Sequence, residues 1–209
     1  MTIDVLLTGF SPFAGAARNE SWDAVVLASP MLREQGLDVV EVELPVEFGR
    51  AGALLLEALS AHRPRVVIAT GLAAGRTAIT PERVAINVRD ARIPDNAGAS
   101  PIDEPVVPGA PVGYFSTLPI KAMVAALATD GTPGSVSQTA GTYVCNDVFF
   151  QLQHRLATDA ALGGIRGGFV HVPSADVVDA RSAARALVRL VEVALRTQAD
   201  APLAGGAEH

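Results

Sequence analysis

Cysteine occurs once in this 209-residue chain, at Cys145, and lysine once, at Lys121. A single thiol excludes an internal disulfide, and the start MTIDVLLTGF has neither a basic leader nor an apolar run of signal-peptide length, so the expected compartment is a reducing cytoplasm. No apolar run is long enough to span a bilayer, which excludes a membrane partner. The 16 basic residues are outnumbered by 22 acidic ones, the net charge is −6, and no Lys/Arg cluster is present. A general nucleic-acid binder needs such a cluster to replace phosphate counterions, so nucleic acid is excluded as well. The near-absence of lysine, beside many alanines, reads as genome composition and carries no function.

What the chain does have is hydrophobic content, at 49%. That suffices for one sizeable core, and the expected organisation is a single domain over residues 1–199 with residues 200–209 as a frayed tail. Strand-length apolar runs recur at Ile3–Thr8, Val39–Leu44, Arg65–Thr70, Val84–Val88 and Gly168–Val172. Between them, apolar residues at spacings of three and four predict helices over Trp22–Ser29, Gly49–Ala61, Ile120–Ala128, Asn146–Leu156 and Ala180–Arg196. This alternation predicts a three-layer α/β/α sandwich around a largely parallel, mixed and twisted sheet. The Pro- and Gly-rich stretch Ala91–Thr117 has no sustained period and reads as a surface excursion or short hairpin, of the length that often serves function. No internal repeat is visible.

In open α/β sheets, ligands gather at the C-terminal edges of the strands. Three reactive groups fall at such places. Glu82 follows the run ending at Thr70, Cys145 follows a strand-like run from Ser135 to Val144, and His171 ends the run GGFVHVP. The helix expected after Cys145 offers free N–H groups and a positive dipole end, which favour a thiolate. A histidine held by a carboxylate would take the thiol proton and return it to a leaving amine. Each group also has a plainer reading: a buried small hydrophobe for Cys145, a first-turn carboxylate or partner of Arg83 for Glu82, and a satisfied strand-end imidazole for His171. Of the other histidines, His154 lies about two helical turns past Cys145, His62 sits in a basic loop and His209 is terminal.

Longer motifs decide between these readings. The segments TGFSPFAG (Thr8–Gly15), GLAAGRTAITPERVAIN (Gly71–Asn87), DARIPDN (Asp90–Asn96), GYFSTLPIKAMV (Gly113–Val124), SQTAGTYVCN (Ser137–Asn146) and FVHVP (Phe169–Pro173) resemble, in order, those of the pyroglutamyl peptidase I, or pyrrolidone-carboxylate peptidase, family. The resemblance implies a cysteine exopeptidase acting on peptides with an N-terminal pyroglutamyl residue, without metal or organic cofactor. It also implies a homodimer or homotetramer. On this resemblance the nucleophile falls on Cys145, the base on His171, the orienting carboxylate on Glu82 and an oxyanion-stabilising arginine on Arg92. Phe10 and Phe13 would flank the lactam ring, Asn19 and the backbone at Gly71 would bond it, and Ile93, Tyr143 and Val144 would complete the enclosure. Without the resemblance, Phe10 and Phe13 would read as core packing.

Some positions depart from the family pattern. Leu72 and Ala74 stand where many relatives carry Gln and Gly, Asp147 stands where His is common, and the segment after Pro173 lacks the usual aromatic-Pro-Glu-Gln run. An inward-pointing Asp147 would raise the thiol pKa. Two other classes of function remain: a binding protein of the same fold without turnover, holding a small anion at the Gly9–Gly15 loop, and a scaffold using the long excursion. Neither finds a phosphate-loop or dinucleotide fingerprint in TGFSPFAG.

Overall fold

In the computed structural model, which describes residues 3–207, β1 (Val5–Phe10) is buried along its whole length. A strand without alternation is covered on both faces, as parallel strands between helix layers are. β1 runs parallel to β2 (Val39–Leu44) on one side and to β3 (Val66–Leu72) on the other, and β3 runs parallel to β7 (Arg166–Val172). A two-residue strand, β4 (Thr80–Pro81), pairs antiparallel with β7 and closes the order β2-β1-β3-β7-β4. The sheet is therefore mixed and mostly parallel.

Side-chain alternation divides the core between the two faces. Val5, Leu7, Val66, Ile68 and Val170 pack under α1 (Glu20–Glu34), α3 (Ile120–Thr129) and α5 (Ala180–Arg196). Leu6, Val67, Ala69 and Phe169 pack on the opposite face under α2 (Arg50–His62) and α4 (Val144–Thr158). At Gly9 an added Cβ would lie 2.7 Å from the Trp22 backbone, so glycine there lets the start of α1 approach β1. The chain leaves β1 for β2 on one side and returns to β3 on the other, which opens a crevice at their carboxyl ends.

Several local expectations change. The run expected as a strand over Val84–Val88 shortens to β5 (Val84–Ile86), which pairs antiparallel with β6 (Gly113–Phe115) in a separate ribbon, so most of the excursion spans the two ribbon strands. Ser135–Val144 forms no strand: Ser137 makes an isolated bridge to Glu82, the preceding Gly134 makes one to Ile79, Gly141 turns through a positive φ of 79°, and Val144 already opens α4. α1 runs past Ser29 and through Pro30 to Glu34. The carbonyl orphaned by Pro30 belongs to the exposed Val26, where water can serve it. His62 closes α2 and is not in a loop. Residues 200–206, expected as a loose tail, are tied down: Asp200 accepts hydrogen bonds from the amides of Lys121 and Ala122 at the start of α3, and the Gly205 carbonyl accepts from Arg83 and Gln138. His209 lies outside the described residues.

Candidate active site

β3 and β7 are in register at Gly71 and His171, and register partners in a parallel pair point their side chains to the same face. A Cβ built on Gly71 would stand 2.9 Å from Cys145 Sγ and 2.8 Å from Phe169 Cζ. The thiol therefore occupies the space over Gly71 that any other residue would fill. Neighbouring strands lie about 4.8 Å apart, so the thiol over Gly71 and the His171 side chain lie on one face of adjacent strands. α4 brings the thiol there because Tyr143 is the extended cap and Cys145 is the second helical residue.

Glu82 reaches the same place from the far edge. Antiparallel pairing continues past β4, with the Glu82 amide donating to the Phe169 carbonyl at 2.9 Å, and this turns the carboxylate inward. His171 Nδ1 donates to Glu82 Oε1 at 2.6 Å, which leaves Nε2 unprotonated. The imidazole is buried and packs on Phe169 at a ring-centroid distance of 4.8 Å.

A residue not singled out from the sequence completes the cluster. Arg76 Nη1 donates to the same Glu82 oxygen at 2.6 Å and also to Thr80 Oγ1, while its Nη2 donates to the Thr139 carbonyl at 2.9 Å. Its position in GLAAGRTAITPE, six residues before the glutamate, was the available signal.

The electrostatics differ from the helix-start expectation. Burial, and then the Glu82 charge, push the Cys145 thiol up to about 12, against smaller opposing pulls from Arg76 and the Cys145 amide. Desolvation disfavours the thiolate and outweighs the helix dipole at this position. Burial also lowers His171 below its ordinary value, against the pull of Glu82 and with help from Arg76. At neutral pH the pair rests as neutral thiol and neutral imidazole. Burial and the neighbouring Asp95 push the Tyr143 hydroxyl up to about 12, so it stays protonated and donates to the Pro94 carbonyl at 3.0 Å.

Asp147 does not face the thiol. Its carboxylate is fully buried against Arg89 Nε at 2.6 Å and accepts from the Gly49 amide and Gln151 Nε2, so it joins α4 to the start of α2. Asn146 likewise turns to β5, bonding the Ile86 amide and carbonyl.

Beside the thiol, at the crevice between β1 and β3, lies a cavity of about 170 Å³. Phe10, Phe13, Asn19, Tyr143, Val144 and Cys145 line it, together with Leu72 and with Ala16, Arg18 and Val46, which were not anticipated. Gly71 lies beneath the thiol, outside this lining. Asn19 caps α1, its Oδ1 accepting from the Ser21 amide and hydroxyl and its Nδ2 donating to the Ser11 carbonyl; one Nδ2 hydrogen remains for a ligand. Ile93 is 51% exposed and outside the lining, as is the exposed Arg92. Both ride on a strap fastened to the segment before Cys145, through Asp90 to Thr142 and Pro94 to Tyr143. His154 faces away, with its Nδ1 2.9 Å from the Tyr114 hydroxyl. Among the described residues, no group of three or more His, Cys, Asp and Glu side chains is placed to hold a metal, and no helix is long and apolar enough to cross a membrane.

This arrangement has counterparts. The crystal structure of pyroglutamyl peptidase I from Bacillus amyloliquefaciens superposes with a TM-score of 0.87 at 37% identity, covering 95% of this chain and all of that one. A variant pyrrolidone carboxyl peptidase from Pyrococcus furiosus gives 0.82 at 38% identity, over 92% of this chain and 98% of that one. The pyrrolidone-carboxylate peptidases of Klebsiella pneumoniae and Streptomyces coelicolor are 50% and 47% identical, each over 98% of this chain and 99% of their own. The profile for pyroglutamyl peptidase matches residues 3–196, which carry the sheet, the five helices, the thiol and the Glu82–His171 pair. The chain belongs to the pyroglutamyl peptidase family.

Proposed function

We propose that this chain is a cysteine exopeptidase that hydrolyses the amide bond after an N-terminal pyroglutamyl residue of peptides, with Cys145 as nucleophile, His171 as general base and acid, and Glu82 as its orienting carboxylate. One observation carries the reading: the Glu82–His171 hydrogen bond is held by strand register beside a thiol that borders a small cavity with aromatic and aliphatic walls.

The reaction starts from the neutral pair. As Sγ attacks the scissile carbonyl carbon, the S–H proton passes to His171 Nε2, and Glu82 stabilises the imidazolium. Charge develops on the carbonyl oxygen at the start of α4, where the amides of the first helical turn lack intrahelical acceptors. A preorganised donor at such an oxygen is worth about 3 kcal/mol. By the resemblance, Arg92 on the strap, exposed and outside the cavity lining, is the expected second donor. The imidazolium then protonates the departing peptide amine as the C–N bond breaks, leaving a thioester. Water, deprotonated by Nε2, cleaves it to free 5-oxoproline and thiol.

The cavity explains the choice of substrate. A lactam is flat and uncharged, and it fits between Phe10, Phe13, Val46 and Leu72 with the free Asn19 N–H toward its carbonyl. An N-terminal glutamine brings an ammonium that these walls leave unpaired, at a cost of several kcal/mol. The test is paired hydrolysis of pyroglutamyl- and glutaminyl-arylamides: turnover of the first alone is expected, and comparable turnover of both defeats the pocket assignment. The lone free cysteine supports a reducing, cytoplasmic setting. A homodimer or homotetramer is expected from the resemblance to the family, and light scattering of the purified chain tests it.

A further inference from the structure

Glu82 Oε1 accepts two hydrogen bonds of the same length, 2.6 Å, from His171 Nδ1 and from Arg76 Nη1. Its other oxygen, Oε2, is buried and has no partner among the described residues. A carboxylate held at one oxygen only can rotate, and rotation would carry the acceptor away from the imidazole. Arg76 prevents this, because its guanidinium is itself fixed at two further points: the Thr80 hydroxyl on β4 and the Thr139 carbonyl on the segment leading to Cys145. One planar fork thus ties β4 and the adjoining Glu82 to the segment that leads to the thiol.

We propose that Arg76 is a positioning residue for the peptidase reaction, fixing the Glu82 carboxylate on His171 and placing a positive charge beside the pair. The proposal rests on the peptidase reading given above. The charged or titratable groups set against His171 are Glu82 beside β4, Arg76 on the β3–β4 connection and Cys145 on α4; Asp147, two residues on, is turned to Arg89. Arg76 is the only cation among them. Its field opposes protonation of His171 and favours loss of the Cys145 proton, so it lowers both. Arg76 does not line the substrate cavity. Its removal should therefore act on the chemical step and leave binding alone.

The test uses Arg76→Gln and Arg76→Lys in the full chain with a pyroglutamyl-arylamide. In Arg76→Gln, kcat should fall about 100-fold, the scale for a misplaced reacting group. KM should stay within about threefold, and the acid limb of the pH profile of kcat/KM should move to higher pH, because His171 gains a proton more readily. Arg76→Lys keeps the charge but cannot span all three partners, so it should hold the limb in place and recover part of kcat. If Arg76→Gln keeps the wild-type kcat, or loses kcat with the limb unmoved and no recovery in the lysine variant, the proposal is overturned. Should the glutamine variant fail to fold, the lysine variant decides alone: an undiminished kcat overturns the proposal. Alkylation of Cys145 by iodoacetamide separates this claim from the peptidase reading, since it needs no turnover. Its pH midpoint should rise in Arg76→Gln, and an unchanged midpoint removes the electrostatic role even if the wild type hydrolyses nothing.

Discussion

Replacing Glu82 by glutamine should make the thiol more reactive and the enzyme far worse. The two effects separate because Glu82 opposes ionisation of Cys145 while it orients His171. The carboxylate stands one imidazole away from the thiol, a span of about 7 Å, and a unit charge at that distance with an effective dielectric near 20 contributes about 2.4 kcal/mol. That is roughly two pKa units. The thiol, held at about 12 in the wild type, should then titrate near 10. At pH 8 the thiolate fraction rises about 100-fold, and the lower nucleophilicity of the more acidic thiolate takes back about eightfold, so alkylation should accelerate roughly tenfold. Hydrolysis of the arylamide should fall by a factor on the order of 10³ to 10⁴, the scale for neutralising the carboxylate of such a triad. Because Cys145 is the sole cysteine, iodoacetamide incorporation read by intact mass reports on it alone. Unchanged or slower alkylation in Glu82→Gln would refute the coupling.

Other consequences follow from the same geometry. Gly71→Ala should fold normally at the sheet yet lose about 100-fold in kcat/KM, because the new Cβ meets Cys145 Sγ and Phe169; wild-type kinetics would show that the thiol is placed elsewhere. Asp147→Ala leaves Arg89 without its partner and should cost about 3 kcal/mol, or about 6–12 °C in Tm, while the alkylation midpoint of Cys145 stays put; a shifted midpoint would mean that Asp147 faces the thiol after all. Since burial lowers His171, the base is still neutral at pH values where an exposed imidazole is half protonated. Activity should therefore be lost only as pH falls below about 6.5, and a kcat/KM acid limb above that value contradicts the neutral resting pair.

Regular elements were most legible where one physical signal dominated. β2 over Val39–Leu44 and α5 over Ala180–Arg196 have the bounds that their apolar spacing predicts, because β-branched residues and a strongly one-sided helix leave little choice of conformation. Ser135–Val144 was misread because it borders a helix but is fixed by isolated bridges to residues near β4, which local periodicity does not encode. The site was legible through motifs and not through spacing: Glu82 and His171 are 89 residues apart, and only the β4–β7 pairing joins them. Arg76 is illegible in the sequence for the same reason, since its ties to Thr80, Glu82 and Thr139 exist only after the loop has folded. The thiol shift runs opposite to the helix-start expectation because a helix start is visible in a sequence and desolvation is not. Asp147 stands two residues from Cys145 and, at about 100° per helical residue, points to nearly the opposite side, so the condition that it face the thiol is not met.

The most direct measurement is hydrolysis of a pyroglutamyl-arylamide by the reduced wild type and by Cys145→Ser at equal concentration of folded protein. The account predicts release of the arylamine by the wild type and its collapse in the serine variant. Equal release by both proteins, or none by a wild type that still binds the lactam, would contradict it.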